Sequence, residues 1–287
     1  MKHAYLIIAH NEFEILKCLI RAIDDSRNDI YIHFDRKLNE LPTVRTQFAG
    51  LYILTERIDV RWGDLSVVEA EYKLFEAACK HGGYDYYHLL SGVDMPLKSQ
   101  DYIHDFFEKH QGKEFIGYFN GNISKQMHRK VQLYHLFPKY FRESKGFRPL
   151  ARKMLRAIWL RMQMSLGIKR NQGITFKKGT QWISITHDLA THLLTQKNQV
   201  LETYHHTFCS DEVFVQTICW NSDFRDRIYD LHDEGRSCMR AINWQDNRLV
   251  EWEEKDFERL MTSEALFARK FGSNHFGIVN NILKTLF

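Results

Sequence analysis

The sequence predicts an α/β fold, a single domain with a mainly parallel central sheet flanked by helices. Three observations support this prediction. Strand-like and helix-like stretches alternate through residues 1–119. The first run, residues 4–9, is continuously apolar, as expected of a strand that is buried on both faces. The chain of 287 residues has no low-complexity linker that would mark a domain boundary.

The first 119 residues contain five predicted strands and three predicted helices. The first helix illustrates the criterion, because Ile15, Leu16, Leu19 and Ile20 recur at the spacing of one helical face. The predicted strands are residues 4–9, 30–34, 51–54, 86–90 and 115–119. The predicted helices are residues 12–23, 64–79 and 101–110. Strands joined through helices favour parallel pairing, with ligands bound beyond the carboxyl ends of the strands.

The remainder of the chain is less regular. Residues 181–186 are predicted to form a strand, and residues 188–196, 210–218 and 263–271 are predicted to form helices. We expect one domain, residues 1–287, with a nucleotide-binding half (1–119), a basic and partly helical insertion (120–172) and an acceptor-binding and catalytic half (173–287).

Polar residues follow several of the predicted strands and mark a candidate nucleotide site. His10 and Asn11 follow the first strand, Asp35 the second, and Asp94 comes shortly after the strand of residues 86–90. The chain has neither a G-x-G-x-x-G nor a P-loop motif, so a nucleotide site must be built from scattered side chains. Asp35 and Asp94 could bind uracil, ribose or an acceptor sugar, or could only cap a turn.

Glu212 is the candidate general base. Ser210 is a favoured helix N-cap, which would put Glu212 in the first turn, where the helix dipole favours an ionised carboxylate. The alternative is a plain helix cap, because acidic residues are enriched in first turns.

Arg240, Arg269 and Lys270 are candidate contacts for a diphosphate. The negative charge of a departing diphosphate must be met by a metal ion or by fixed cations, and the chain contains no Asp-x-Asp motif to hold a metal. The alternative for Arg269 and Lys270 is a basic helix C-terminus. Trp62 and Trp182 could stack on a base or a sugar, or could belong to the core.

Seven short stretches, in the same order along the chain, resemble one enzyme family. They are residues 4–10, 32–37, 62–63 with 66–71, 87–97, 178–182, 210–212 and 267–271. The chain resembles the core-2/I-branching β-1,6-N-acetylglucosaminyltransferase and peptide O-xylosyltransferase family, glycosyltransferase family 14. The resemblance implies a GT-A-like fold that lacks the Asp-x-Asp motif, a UDP-sugar donor, no metal cofactor and inversion at the anomeric carbon.

The resemblance also implies roles for individual residues. Glu212 corresponds to the catalytic base, and Arg269, Lys270 and Arg240 correspond to contacts with the diphosphate. Asp35 corresponds to an aspartate on the uracil side, and Trp62 to an aromatic residue of the nucleotide pocket, near which His10 is also expected. Gln181 and Trp182 correspond to a turn that contacts the sugar, and Asp94 is expected to contact substrate. GlcNAc and xylose are the donor sugars expected, and a glycan or a glycolipid is the expected acceptor.

Residues 120–172 form a basic segment with thirteen Lys or Arg residues and one acid, so its net charge is +12 within a chain of net charge +4. Residues 148–168 mix these cations with Leu, Met, Ile and Trp159, a composition typical of an interfacial helix on anionic lipid. An ordinary surface helix is an equal alternative. Nucleic-acid binding is disfavoured, because no nucleic-acid module accompanies the segment.

The N-terminus and the cysteines indicate a cytoplasmic protein. Peripheral association with the inner face of the membrane is the alternative location. The first apolar run is short and lacks a cleavage site, so we expect no signal peptide. The five cysteines are scattered and contain no C-x-x-C pair, so we expect reduced thiols. Two alternative functions stay open, namely a metal-dependent sugar-phosphate nucleotidyltransferase and a glycan-binding protein without catalysis.

Overall fold

The computed structural model describes residues 1–142, 146–246 and 248–287, which form an α/β fold. The strands are β1 (His3–Ala9), β2 (Asn28–Phe34), β3 (Gly50–Ile53), β4 (Tyr86–Ser91), β5 (Asp94–Pro96), β6 (Ser184–Thr186), β7 (Arg240–Ile242), β8 (Trp244–Gln245), β9 (Arg248–Leu249) and β10 (Phe267–Arg269). The helices are α1 (Phe13–Ala22), α2 (Ser66–His81), α3 (Gln100–Lys109), α4 (Ser124–Val131), α5 (Phe147–Ser165), α6 (His187–Thr195), α7 (Lys197–Tyr204), α8 (Phe214–Trp220), α9 (Glu234–Cys238), α10 (Phe257–Met261) and α11 (Phe276–Leu286).

The main sheet has five strands in the order β3-β2-β1-β4-β6. The first four strands are parallel, with Leu6 of β1 opposite Tyr31 of β2 and Leu89 of β4. β6 runs antiparallel to β4 at one edge. The predicted α/β class with a mainly parallel sheet is therefore confirmed.

Helices cover both faces of the sheet, which explains why the predicted strand of residues 4–9 is continuously apolar. Ala4, Leu6 and Ile8 pack in a core with α2 and α6, whereas Tyr5 and Ile7 pack in a second core with α1, α3 and α11. Each fully buried aliphatic side chain contributes about 1.5–3 kcal/mol. Alternating polar residues would place unpaired polar groups in one of the two cores.

A second, smaller sheet lies beside the carboxyl end of β4 and corrects one sequence prediction. Its order is β5-β10-β7, and its central strand, Phe267–Arg269, falls within residues 263–271, which were predicted to be helical. The helix prediction was wrong because the strand is held by partners distant in sequence. Because Arg269 lies in a strand, the alternative interpretation of Arg269 and Lys270 as a basic helix C-terminus is also wrong.

Residues 115–119 form no regular strand, so that prediction was also wrong. Phe115 makes one isolated antiparallel bridge to Ser184, after which the chain leaves the sheet. Gly117 then passes so close to Glu234 and Thr180 that a Cβ at this position would lie 2.9 Å from the Glu234 side chain. These crossing contacts replace strand pairing.

In the basic segment, α4 and α5 pack against the body of the molecule through few residues. Leu160 and Gln163 are the buried residues of α5, and Gln163 exchanges hydrogen bonds with the backbone of Tyr134. The opposite face of α5 is apolar and exposed. Within the described ranges, no helix has the length and apolar character needed to cross a membrane.

Candidate active site

Polar residues from the ends of three parallel strands meet at one edge of the main sheet. His10 follows β1, Asp35 follows β2, and Ser91 ends β4. Partial burial lowers the pKa of His10, and the nearby carboxylate of Asp35 opposes this shift. The charges of Lys37, Arg142 and Arg269 lower the pKa of His10 further. The carboxyl ends of these strands thus bring His10, Asp35 and Ser91 to one edge of the sheet, and the nucleotide site predicted there stays a prediction.

Asp35 is buried and ion-paired. Its Oδ2 lies 2.6 Å from Lys37 Nζ, and its Oδ1 accepts a hydrogen bond of 2.9 Å from the Lys37 backbone N–H. Lys37 Nζ also donates to Asp59 and to the backbone carbonyl of Val60. Asp35 thus caps its own turn, and its predicted contact with uracil would require one of these bonds to be shared.

Arg269 lies beside the polar groups at this edge of the sheet. In the small sheet it is paired in register with Asp94, and its guanidinium stacks 4.0 Å above the ring of Trp182. Its Nη1 lies 3.2 Å from Ser91 Oγ and 3.4 Å from Asp94 Oδ1. Burial lowers the pKa of Arg269, whereas Asp94 opposes that shift. The Nε of Arg269 has no hydrogen-bond partner among the described residues.

Asp94 both closes a turn and orients the arginine. Its Oδ2 accepts a hydrogen bond of 2.9 Å from the Ser91 backbone N–H, and its Oδ1 accepts one of 2.6 Å from Ser91 Oγ. Burial raises the pKa of Asp94, and Arg269 is the main opposing charge. Asp94 is almost fully buried, and its predicted contact with substrate stays a prediction.

The other two predicted phosphate contacts differ in their placement. Lys270 follows Arg269, has a side chain that is 34% exposed, and pairs loosely with Glu251 at 3.6 Å. Arg240 is only 3% exposed and donates to the carbonyls of Cys238 and Ile183 and to Ser184 Oγ. The structure therefore does not bring Arg240 into the cleft, and we leave it out of the site.

Glu212 ends a short 3-10 helix, Ser210–Glu212, that precedes α8. The predicted N-cap at Ser210 is wrong, because the residue before this turn is Cys209 and no side-chain cap forms. Glu212 is held by two cations: its Oε2 lies 3.2 Å from Lys130 Nζ and 3.5 Å from Lys178 Nζ. With its side chain 33% exposed, the carboxylate is reachable from solvent.

Two further carboxyl groups lie buried beside Glu212. Glu71 accepts a hydrogen bond of 2.6 Å from Gln181 Nε2, and Asp211 precedes Glu212 in the chain. Burial raises the pKa of Asp211 to about 7, with the Glu212 charge as the next cause. Burial also raises the pKa of Glu71, and the Asp211 charge adds to that shift. Glu212 is thus the solvent-reachable member of a cluster whose other carboxyls favour the protonated form.

Residues 178–182 connect the two halves of the site. Lys178 contacts Glu212 at one end of this stretch, and Trp182 stacks on Arg269 at the other. Four Cα–Cα steps span at most roughly 14 Å. Gly179 is required here, because a Cβ would lie 1.7 Å from the backbone oxygen of Gly117. Glu212 and Arg269 therefore contact opposite ends of one short stretch of chain.

Trp62 lies at the rim of the site, where 51% of its side chain is exposed. Its ring meets that of Phe208 edge-on at 5.5 Å, and the Arg142 guanidinium lies 5.4 Å from it. Its predicted role in the nucleotide pocket stays a prediction.

Sequence reasoning did not assign Lys130, Lys178, Glu71 or Asp211 to the site. Lys130 was visible only as one of thirteen cations in the basic segment, and Lys178 and Asp211 only as members of the matching stretches. In the described part of the chain, no group of three or more His, Cys, Asp or Glu side chains is arranged to hold a metal ion.

The comparison with protein families agrees with the resemblance drawn from the sequence. The model of the core-2/I-branching enzyme family matches residues 3–276. The chain belongs to this family. Family membership covers both halves of the cleft, from β1 through β10, and the predicted family assignment, with its prediction of an enzyme, is confirmed.

Relatives of the chain in this family are named xylosyltransferases. A xylosyltransferase of Ciona intestinalis is 22% identical over 93% of this chain, and xylosyltransferase 2 of Canis lupus familiaris is 22% identical over 94%. The chain spans about a third of the length of these relatives, 32% in each case. The solved structure of mouse xyloside xylosyltransferase 1, apo form, aligns over 96% of this chain and 99% of its own with a TM-score of 0.37 and 11% identity.

Proposed function

We propose that this member of the core-2/I-branching enzyme family is an inverting glycosyltransferase that transfers a sugar from a UDP-sugar to a hydroxyl of a glycan acceptor. The observation that carries the proposal is the connection made by residues 178–182, with Glu212 at one end and Arg269 at the other. Single-displacement transfer needs a base on one side of the transferred sugar and a cation near the leaving group on the other side.

In the proposed mechanism, Glu212 accepts the proton of the acceptor hydroxyl as its oxygen attacks the anomeric carbon. A new carbon–oxygen bond forms on one face of the sugar while the bond to the UDP oxygen breaks on the other. The bonding electron pair leaves with UDP, and the configuration at the anomeric carbon inverts. Lys130 and Lys178 each place a positive charge within 3.5 Å of Glu212 Oε2, which fixes the position of the proposed base.

Arg269 and Lys270 would meet the charge of the departing diphosphate, so the proposed reaction needs no metal ion. The pairing of Arg269 with Asp94 and Trp182 fixes the guanidinium before substrate arrives. A fixed cation needs little reorganisation as charge develops on the leaving group. The sequence contains no Asp-x-Asp motif, which is consistent with side-chain cations meeting the diphosphate charge.

For the donor sugar we propose xylose or GlcNAc, the former supported by the names of the relatives. Asp35, His10 and Trp62 are proposed to contact the nucleotide, and Gln181 and Trp182 the transferred sugar. Gln181 is already oriented by Glu71, so its carboxamide oxygen is free to accept a hydrogen bond from a sugar hydroxyl.

We propose a lipid-linked acceptor as well, reached from the inner face of an anionic membrane through α5. Six apolar residues of α5 are exposed on a face opposite the buried Leu160 and Gln163: Phe147, Leu150, Met154, Leu155, Ile158 and Met162. The helix contains five Arg or Lys residues and no acid. Exposed apolar area combined with positive charge favours anionic lipid.

Flotation with phosphatidylglycerol vesicles at low salt tests the membrane contact. Ile158→Glu is expected to abolish co-flotation, whereas Asn198→Glu on the exposed face of α7 serves as the charge-matched control. Wild-type protein that stays with the unbound fraction would contradict the membrane proposal and leave the transferase proposal intact.

The transferase proposal itself is tested by measuring UDP release from UDP-xylose and UDP-GlcNAc with a panel of oligosaccharide acceptors. We expect acceptor-dependent UDP release that is unchanged by EDTA. Strict dependence on Mn²⁺ would contradict the metal-free mechanism. Binding of glycans without any consumption of a sugar nucleotide would instead support a glycan-binding protein.

A further inference from the structure

A cavity of about 350 Å³ lies between the body of the molecule and the basic segment, next to the proposed base. Three aromatic rings, of Trp62, Phe141 and Phe208, form much of its wall. Arg156 and Leu160 of α5 complete it. A volume of this size accommodates one or two sugar rings, and aromatic walls suit the apolar faces of such rings.

The cavity is positively charged. Arg129, Lys130 and Arg156 line it, and no acidic side chain is among the described residues of its wall. Arg156 is engaged by the backbone carbonyls of Leu136 and Phe137 and stacks on Phe141 at 4.1 Å. The Arg129 side chain is exposed and has no ion-pair partner among the described residues.

Lys130 connects this cavity to the reaction centre. Its Nζ lies 3.2 Å from Glu212 Oε2 and 5.4 Å from the centre of the Phe208 ring, so one ammonium group faces both. A ligand in the cavity is therefore within reach of the base through a single side chain.

His135 is a buried residue at the wall of the cavity. The residue is 4% exposed, and its Nε2 donates to the Arg129 carbonyl at 2.8 Å. Its Nδ1 is buried and has no hydrogen-bond partner in the part of the chain that the structure describes. Burial lowers the pKa of His135 to about 4, so the ring is neutral and the positive charge of the cavity comes from Arg129, Lys130 and Arg156.

We infer that this cavity is an acceptor subsite for a sugar that carries an anionic group, a carboxylate or a phosphate, which Arg129 and Lys130 neutralise. A neutral sugar would leave the Arg129 charge uncompensated, whereas an anion completes the site. The sugar ring would lie against Phe141 and Phe208. The inference rests on the proposed function, because it places the acceptor beside Glu212.

Binding measurements test the subsite without requiring turnover. Isothermal titration in saturating UDP, which fills the donor site, would compare methyl β-glucoside, methyl β-glucuronide and methyl β-glucoside 6-phosphate. These three probes share one ring and differ in charge. We expect either anionic probe to bind about tenfold more tightly than the neutral one, as a charge-assisted hydrogen bond implies. The stronger of the two anions identifies the carboxylate or the phosphate as the natural group.

Arg129→Ala is expected to remove that tenfold preference and to leave UDP binding unchanged. Lys125→Ala is the matched control, because Lys125 is an exposed cation of the same helix and does not line the cavity. Equal binding of all three probes would overturn the subsite, as would an equal loss in the Arg129 and Lys125 variants. UDP binding is measured first, and its absence would contradict the proposed function. UDP binding without any preference for the anionic probes would contradict the subsite alone.

Discussion

Replacement of Glu212 by Gln is the most direct test of the proposed chemistry. The substitution keeps the size and shape of the side chain and removes only its ability to accept a proton. The carboxylate lies 3.2 Å from Lys130 Nζ and 3.5 Å from Lys178 Nζ, so the folded state loses two partly exposed ion pairs. Each such pair contributes roughly 0.2–1 kcal/mol, so the free energy of unfolding falls only slightly.

The expected loss of activity is much larger. Removal of a general base lowers the rate by roughly 10²–10⁴-fold, which corresponds to about 3–5 kcal/mol of activation free energy. Because the nucleotide-binding groups are unchanged, the affinity for UDP should stay within about twofold of the wild type. The assay compares acceptor-dependent UDP release with UDP binding by isothermal titration in the same preparation.

Glu202→Gln is the matched control, because Glu202 is an exposed glutamate on α7 away from the cleft. It should retain full transfer activity. A Glu212→Gln enzyme that keeps more than a tenth of the wild-type rate would refute the assignment of the base. Loss of UDP binding in parallel with activity would indicate a structural role instead.

Three further outcomes are expected. Lys270→Ala should weaken UDP binding about tenfold by titration, because a charged hydrogen bond to phosphate is lost. Lys255→Ala is the control and should not change UDP affinity, since Lys255 is an exposed cation paired with Glu253. Equal affinities of the two variants for UDP would remove Lys270 from the site. Transfer should persist in EDTA, and a requirement for Mn²⁺ would contradict the metal-free reaction. Burial raises the pKa of Glu114 to about 7, against the hydrogen bonds from Thr186. The unfolded chain therefore releases this proton at lower pH than the folded one, and stability falls as pH rises from about 4.5 to 7. Glu114→Gln should reduce the loss of unfolding free energy between pH 5 and pH 8 by roughly 2–3 kcal/mol, measured by urea unfolding at both pH values. An unchanged loss would contradict the raised pKa of Glu114.

The main sheet could be predicted from the sequence because its determinants are local. The continuous apolar run of β1 and the helical periodicity of α1 each report burial within ten consecutive residues. The small sheet could not be predicted in this way. β10 has three residues, and its partners Asp94 and Arg240 are separated from it by 175 and 27 positions in register, so no local periodicity records the pairing.

The candidate site could likewise be predicted from the sequence only in part. Glu212, Arg269 and Asp35 could be singled out because their types and neighbouring motifs resemble a family pattern. The placement of Arg240 could not be anticipated, because its three hydrogen-bond acceptors come from its own loop and from one distant segment, residues 183–184. Lys130 became a candidate only when α4 was seen to pack beside Glu212.

The sequence alone determined the alternation of strands and helices, the charge of residues 120–172 and the family motifs, since each is recorded by residues close together in the chain. The tertiary structure alone decided which charges face one another. It placed Glu212 between two lysines, directed Arg240 into the interior, and enclosed a cationic aromatic cavity beneath α5. Electrostatic and packing energies depend on distances in space, and a linear sequence does not specify those distances until the chain has folded.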